Sequence, residues 1–415
     1  MPKVILIMLC MAMVGCAQQQ QQESFQLANL LYSQEPQTVL KQLQKSEPSE
    51  RSSAQFHLNI GMVYLLSGHF HDAIDILTLA KREMAVLEAA SVSENFAAAT
   101  ISETLRNYSG YPTDKVMVHT MLAFSYLFNN DIDGARVEVL QADVAMKKLA
   151  NRQELLGQLA SAHLLSAVIY EMLDEQSNAL ISYKFAADII KQRGYALPLG
   201  LKKSLLRMSF KIGDQAQYNQ YRKQFANLAL PTENSKSRIF AFYFDGIVSH
   251  KIQKSLMVPV DDGEQVIRIS VPSYPVKNYP LKRANLVLKE QQANTELVED
   301  VEGIVRDDLS DDYPSILLMT TARALSKYKL VDTSNDVEPL LGLIVNMATL
   351  LTEIADLRSW NTLPSNIQFT YLETNENGVS VQNNGDAIKV VPIEKGSQNI
   401  LLINGLSNSV FHYQQ

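Results

Sequence analysis

Cysteine is nearly absent. The 415-residue chain has two, Cys10 and Cys16, and nothing after Cys16 carries a thiol. A disulfide framework, a thiolate metal site and a thiol nucleophile are therefore excluded from the folded body. Tryptophan occurs once, at Trp360. No Lys/Arg-rich block stands out against a net charge of −7, so the clustered cations that nucleic acid requires are missing. Phosphate-loop, GxGxxG, GxSxG and HExxH patterns are also missing. The expectation is a non-enzyme with no cofactor and no metal. What is present is ordinary globular composition, 46% hydrophobic and 20% charged, at a length that suits two or three domains, each able to fold on its own core.

Long apolar runs are scarce too. Val4 to Val14 is a short one behind Lys3, followed by small residues at Gly15 and Ala17. Such a run spans about 16 Å as a helix, against a hydrocarbon core of roughly 30 Å. A charged start, a short apolar core and a small-residue exit are the parts of a secretory signal, so residues 1–15 are expected to be one. Met13-Val14-Gly15-Cys16 resembles a bacterial lipobox. That resemblance implies diacylglycerol on the Cys16 thiol, cleavage before it, and an anchor worth ~20 kcal/mol gross. Ala17 rather than Asp after the cysteine implies an outer-membrane address facing the periplasm. Residues 16–23, with the run Gln18 to Gln22, then form a lipidated flexible tether reaching about 15 Å.

The segment NIGMVYLLSGHFHDAIDILTLA places Ile60, Gly61, Tyr64, Gly68, Phe70, Ala73, Leu77 and Ala80 at the packing positions of a tetratricopeptide repeat. Leu122, Ala123, Tyr126, Asn130, Ile132, Ala135, Val139 and Ala142 repeat the phase, with Asn130 in the place of the turn glycine. A weaker copy holds Ala167, Tyr170, Ala179, Tyr183 and Ala186, and a fourth keeps the turn at Gly213. Residues 24–230 are expected to form an irregular α-solenoid with a concave face suited to peptides or partner helices.

After Pro231 the pattern changes. TENSKS reads as a linker, LMVPV and VIRISVP as a hairpin around Asp261-Asp262-Gly263, and IQFTYLET, IKVVPIE, NILLING and SVFHYQ as further strands. Short connections favour antiparallel pairing, so residues 236–415 are expected to be an α+β domain with a small β-sandwich or barrel. ELVEDVEGIVRDDL, SILLMTTARALSKYKL and PLLGLIVNMATLLTEIADL read as helices, the last as a core helix interrupted by Asn346, Glu353 and Asp356. The fold class is α+β, solenoid first.

Few side chains suggest chemistry. His69 and His71 read as exposed turn residues rather than metal ligands. Asp307-Asp308-Leu309-Ser310-Asp311-Asp312 lacks calcium-loop spacing and reads as a solvated helix end. DLRSWNTLP is more specific: Asp356, Arg358 and Trp360 suit a recognition surface, or equally an internal clamp in which Asp356 pairs Arg358 and Trp360 seals the domain.

NYSGYPTDKVMVHTMLAFSYLFNNDIDGARVEV, ARALSKY and DLRSWNTLP together resemble a group of bacterial tetratricopeptide-containing envelope lipoproteins. Where that group often has an acid and Phe before the V-x-V-H element, this chain keeps only the acid, in Thr113-Asp114-Lys115. The resemblance implies neighbours similar to the lipoproteins that activate peptidoglycan synthases, and carries no activity. The expected role is a protein–protein interaction scaffold in peptidoglycan or outer-membrane assembly, with periplasmic or outer-membrane proteins as partners. A glycan-binding module, with Trp360 and tyrosines stacking on peptidoglycan sugar, is the alternative.

Overall fold

The computed structural model describes residues 26–94, 107–149, 155–228, 236–260, 265–276, 280–289, 291–337 and 354–415. Cys16, the signal and the tether lie outside the described residues, as do most of the apolar helix expected after Pro339 and the segment 95–106.

Helices come first. After α1 (26–33) and α2 (Pro36–Leu43) come α3 (Ser53–Leu66), α4 (Phe70–Glu94), α5 (Pro112–Phe128), α6 (Ile132–Leu149), α7 (Ala160–Met172), α8 (Gln176–Gln192), α9 (Leu199–Lys211) and α10 (Gln215–Gln224). Helices α3 with α4, α5 with α6, α7 with α8 and α9 with α10 pack as hairpins, and each hairpin packs on the next. The first three hairpins close on small residues: Ala73, Ala80, Ala135, Ala142, Ala179 and Ala186 are buried. A Cβ on Gly61 would stand 2.7 Å from Leu77 Cγ, so only glycine admits α4 at that distance.

All four turns stop their first helix in the same way. Gly68, Asn130, Asp174 and Gly213 take φ of 79°, 61°, 58° and 75°. The next amide donates back five residues, His69 to Tyr64 O (3.0 Å), Asp131 to Tyr126 O (2.9 Å), Glu175 to Tyr170 O (2.8 Å) and Asp214 to Ser209 O (3.1 Å). This is the Schellman arrangement, which satisfies carbonyls that the helix end would otherwise orphan.

The strands follow. A five-stranded sheet has the order β11-β10-β1-β7-β6, built from β1 (Ser237–Asp245), β6 (Glu296–Glu299), β7 (Asn366–Thr374), β10 (Gln398–Asn404) and β11 (Val410–Gln414). A four-stranded sheet has the order β5-β4-β8-β9, with β4 (Ala284–Val287), β5 (Gln292–Asn294), β8 (Gly378–Asn383) and β9 (Asp386–Pro392). The hairpin of β2 (Ile252–Val260) and β3 (Gln265–Ser273) stands apart and rests on α11 (Val301–Val337) through Val271, Leu309 and Ile316.

The apolar run IFAFYF in β1 is explained by burial on both faces. Phe240, Phe242 and Phe244 join the core shared with the helices, while Ile239, Ala241 and Tyr243 face the four-stranded sheet. β7 and β10 divide likewise, Phe369 and Leu402 toward the helices, Leu372 and Leu401 away. The layers are helices, five-stranded sheet and four-stranded sheet.

Three expectations are corrected. Two independently cored domains meeting near residue 230 do not form, because one apolar cluster runs from Ala54 to Leu402 across both halves. Phe124 packs edge-on to Phe242 and Phe244 with centroids 5.2 and 5.4 Å apart. Pairing is not wholly antiparallel: β1 and β10 run parallel, a pairing that turn-length reasoning misses because the two strands are distant in sequence. ELVE is strand β6 rather than helix, and α11 continues through Asp311-Asp312 with Pro314 inside it, although Pro314 has no amide for the Ser310 carbonyl.

Candidate functional site

Among the described residues, a run of buried polar groups lies along the seam between helices and sheet. Helices α5, α7 and α9 start after Tyr111, Leu159 and Pro198, and none of the three caps its helix with its own side chain. Carboxylates from the second half of the chain do so. Thr113 N donates to Asp308 Oδ2 at 3.1 Å, Ser161 N to Glu299 Oε2 at 2.9 Å, and Leu199 N to Glu296 Oε2 at 2.5 Å. One stretch, residues 296–308, thus supplies carboxyl acceptors to the N-termini of three alternate helices, where the orphan amides need them.

Burial sets the electrostatics of these caps. It pushes Glu299 up to about 7 against the opposing pull of Arg193 and the Ser161 bonds, and Asp308 up to about 7 against the Thr113 bonds. Oε1 of Glu299 and Oδ1 of Asp308 have no hydrogen-bond partner among the described residues. Asp308 belongs to the acidic run expected to be solvated. Helix α11 instead turns it inward with Leu309, while Asp307 stays outside facing Arg193.

The two most specific motifs meet at the start of α5. Tyr108 Oη donates to Asp114 Oδ2 at 2.5 Å, and Tyr111 N to the same oxygen at 2.9 Å. Lys251 reaches Tyr111 Oη at 2.5 Å and the Arg358 carbonyl at 3.2 Å, with its ammonium 3.9 Å from the Tyr111 ring centroid. Burial lowers Lys251 to about 8 and raises Asp114, Tyr108 and Tyr111. Nothing in the sequence pointed to Lys251, whose role depends on contacts with α5 and residue 358.

Asp356, Arg358 and Trp360 do not form an exposed recognition surface. Arg358 is 4% exposed, pairs with Asp356 at 2.6 Å and donates to Arg51 O at 2.7 Å. Trp360 is 1% exposed and its indole donates to Thr362 Oγ1 at 3.1 Å. The segment closes over α3, where Gln55 donates to Ser359 O. Trp360 consequently has no face on which a sugar could stack, and the glycan reading loses its central residue.

A second buried knot is structural in the same sense. Glu171, fully buried, receives Arg207, Arg238 at 2.7 Å and Tyr183 at 2.9 Å. Burial acts to raise it, but the two guanidiniums outweigh burial and hold it below the usual carboxylate range.

Chemistry beyond packing is sparse. The groove between α6 and α8, lined by Asp143, Met146, His163, Phe185 and Ile189 among others, holds about 160 Å³, well short of the ~300 Å³ at which small-molecule sites begin. Among the described residues no group of three or more His, Cys, Asp or Glu could hold a metal ion. His69 lies 3.7 Å from Asp72 in an exposed turn. No helix among the described residues is long and apolar enough to cross a membrane.

The fold defines an α+β protein, helices first and sheets after, with its richest polar cluster committed to joining the two. No protein-family model and no curated protein matches the chain. Among solved structures it is similar to BtubC (BKLC) from P. vanneervenii at 13% identity, over 55% of this chain and 96% of that one, with a TM-score of 0.31. At that score a shared fold does not follow.

Proposed function

We propose that this chain is a non-enzymatic interaction scaffold of the bacterial cell envelope, anchored through acylated Cys16 to the outer membrane and facing the periplasm. Its helices act as a tetratricopeptide-like solenoid. The observation that carries the reading is the recurrence of one hairpin, with left-handed turn residues at Gly68, Asn130, Asp174 and Gly213, the first three over buried alanines, the construction that solenoids use to present an extended face.

The partner face differs from the usual one. Helices α5, α7 and α9 are covered by the protein's own sheet, through contacts such as Phe124 on Phe242 and Gly200 on Tyr371. Partners therefore dock on the outward helices, where Val137, Leu140 and Val144 form an exposed stripe at helical spacing on α6.

The test is crosslinking and affinity capture of the acylated protein beside a Val137→Glu/Leu140→Glu variant. A small, reproducible set of envelope proteins should be lost from the variant while thermal unfolding stays within about 1 kcal/mol of the parent. Recovery of no specific partner, or the same partners on the variant, counts against the reading. A Cys16→Ser chain that still partitions into detergent would remove the anchor.

A further inference from the structure

The chain as a whole is acidic, yet residues 184–223 hold nine Lys/Arg against only Asp188 and Asp214. In sequence these cations are scattered across α8, α9 and α10 and form no block. Folding gathers them. Helix α9 packs on both neighbours, and the Lys211–Asp174 pair at 3.0 Å sets the end of α9 beside the start of α8. The connections 193–198 and 212–214 are short, so the three helices alternate in direction. One edge consequently carries Lys191 at the end of α8, Leu199, Lys202 and Lys203 at the start of α9, and Arg222 and Lys223 at the end of α10.

Five carboxylates are near that edge. Glu296 is engaged by the Leu199 amide, Asp300 by the Tyr195 hydroxyl, Glu299 and Asp307 by Arg193, and Asp188 faces Tyr221. Among the described residues Lys191, Lys202, Lys203 and Lys223 hold no ion pair with any of them. Fold stability explains only some of these cations. Lys191, Arg222 and Lys223 stand in last turns, where the helix dipole favours them; Lys202 closes a first turn, where it opposes a cation, and Lys203 follows directly. Leu199, 41% exposed, projects among the lysines.

We infer that this edge is a docking surface for anionic phospholipid headgroups, with Lys191, Lys202, Lys203 and Lys223 meeting phosphate and Leu199 entering the interface. Unpaired lysines around one exposed leucine suit a planar negative surface with an apolar layer beneath it. Such contact would hold the helical layer against a membrane independently of acylation.

The full chain carrying Cys16→Ser is sedimented with vesicles of phosphatidylcholine alone and of phosphatidylcholine with 30% phosphatidylglycerol, at low and at roughly 0.3 M salt. Expected is excess binding to the anionic vesicles that disappears in salt and falls roughly tenfold in Lys202→Gln/Lys203→Gln. Thermal unfolding of that variant should be unchanged or slightly higher, since an unfavourable first-turn charge is gone. Equal binding to both vesicle types, or an unaltered double variant, overturns the assignment. Capture by a poly-glutamate peptide without vesicle binding also overturns it, in favour of an acidic protein. None of these results bears on the partner set recovered by crosslinking, so the scaffold reading stands or falls separately.

Discussion

The four helical turns and the seam are both places where helices end, and they are encoded differently. Each turn is written within a few residues: a left-handed Gly, Asn or Asp and two backbone bonds, joined in the first three by a small residue where the next helix closes in. At the seam, α5, α7 and α9 receive caps from Asp308, Glu299 and Glu296, the first of these 195 residues away from Thr113, and only α5 adds a local one, from Asp114 to the Tyr111 amide. Local signals therefore make the hairpins, and distant carboxylates decide that the hairpins must sit on this sheet. The two halves are separable in composition and share one apolar cluster.

The sharpest way to break that contrast is to remove the aromatic contact under the seam. Phe242 is fully buried between Phe124 and Phe369, and truncating a buried Phe to Ala costs about 3–5 kcal/mol. Phe242→Ala should lower the stability of the helices and the sheet together, in one transition seen equally by far-UV dichroism and by Trp360 fluorescence. If the halves were autonomous, Trp360 would report early unfolding while the helical signal stayed at its former midpoint. Expression of 24–230 alone should likewise give a poorly folded chain, because Phe124 and its neighbours would face water.

Glu299→Gln tests the caps themselves at a smaller scale. With its folded value raised to about 7 against an ordinary value of 4.5, Glu299 binds its proton more tightly when folded. Its contribution is fully present below about pH 4.5 and is lost as pH rises through 7. Relative to Glu299→Gln, the parent should therefore gain stability on acidification from pH 7.5 to 5, by on the order of 2–3 kcal/mol. Denaturant titrations of both proteins across that range measure the difference, and parallel curves would show that Glu299 is ionised and well solvated. At neutral pH the glutamine variant should still cap Ser161, so a large loss there would mean that charge, not hydrogen bonding, holds α7.

What was legible in the sequence follows this division. The turn glycine at Gly68 and its replacement by Asn130 were readable because a positive φ is a property of one residue. VIRISVP was readable as a strand because alternation is local. The acidic run around Asp308 reads as solvated, since nothing within ten residues reveals that α11 turns one aspartate toward Thr113 and leaves Asp307 outside. Lys251 sent no signal at all, being one ordinary lysine whose partners are Tyr111 and the Arg358 carbonyl. The basic edge was missed for the opposite reason: its lysines are conspicuous only after three helices are folded side by side. Asp356, Arg358 and Trp360 were found by residue type, which flags desolvated anchors whether they face a partner or the chain's own interior.

The least disruptive probe addresses the turns. Gly213 has φ of 75°, and a Cβ placed there would meet nothing within 4 Å. Gly213→Ala therefore isolates the backbone cost of the left-handed conformation from any steric clash, about 1 kcal/mol. Asn130→Gly makes the reverse change at the equivalent place in the second hairpin, and should be neutral to within ~0.5 kcal/mol, since Asn already tolerates that region. Measured by chemical denaturation, the first variant should unfold earlier with an unchanged denaturant slope, because the same single core is exposed. A loss much above 1 kcal/mol at Gly213 would mean that the turn carries contacts beyond its own backbone, and the local character of the hairpins, on which the contrast with the seam depends, would no longer hold.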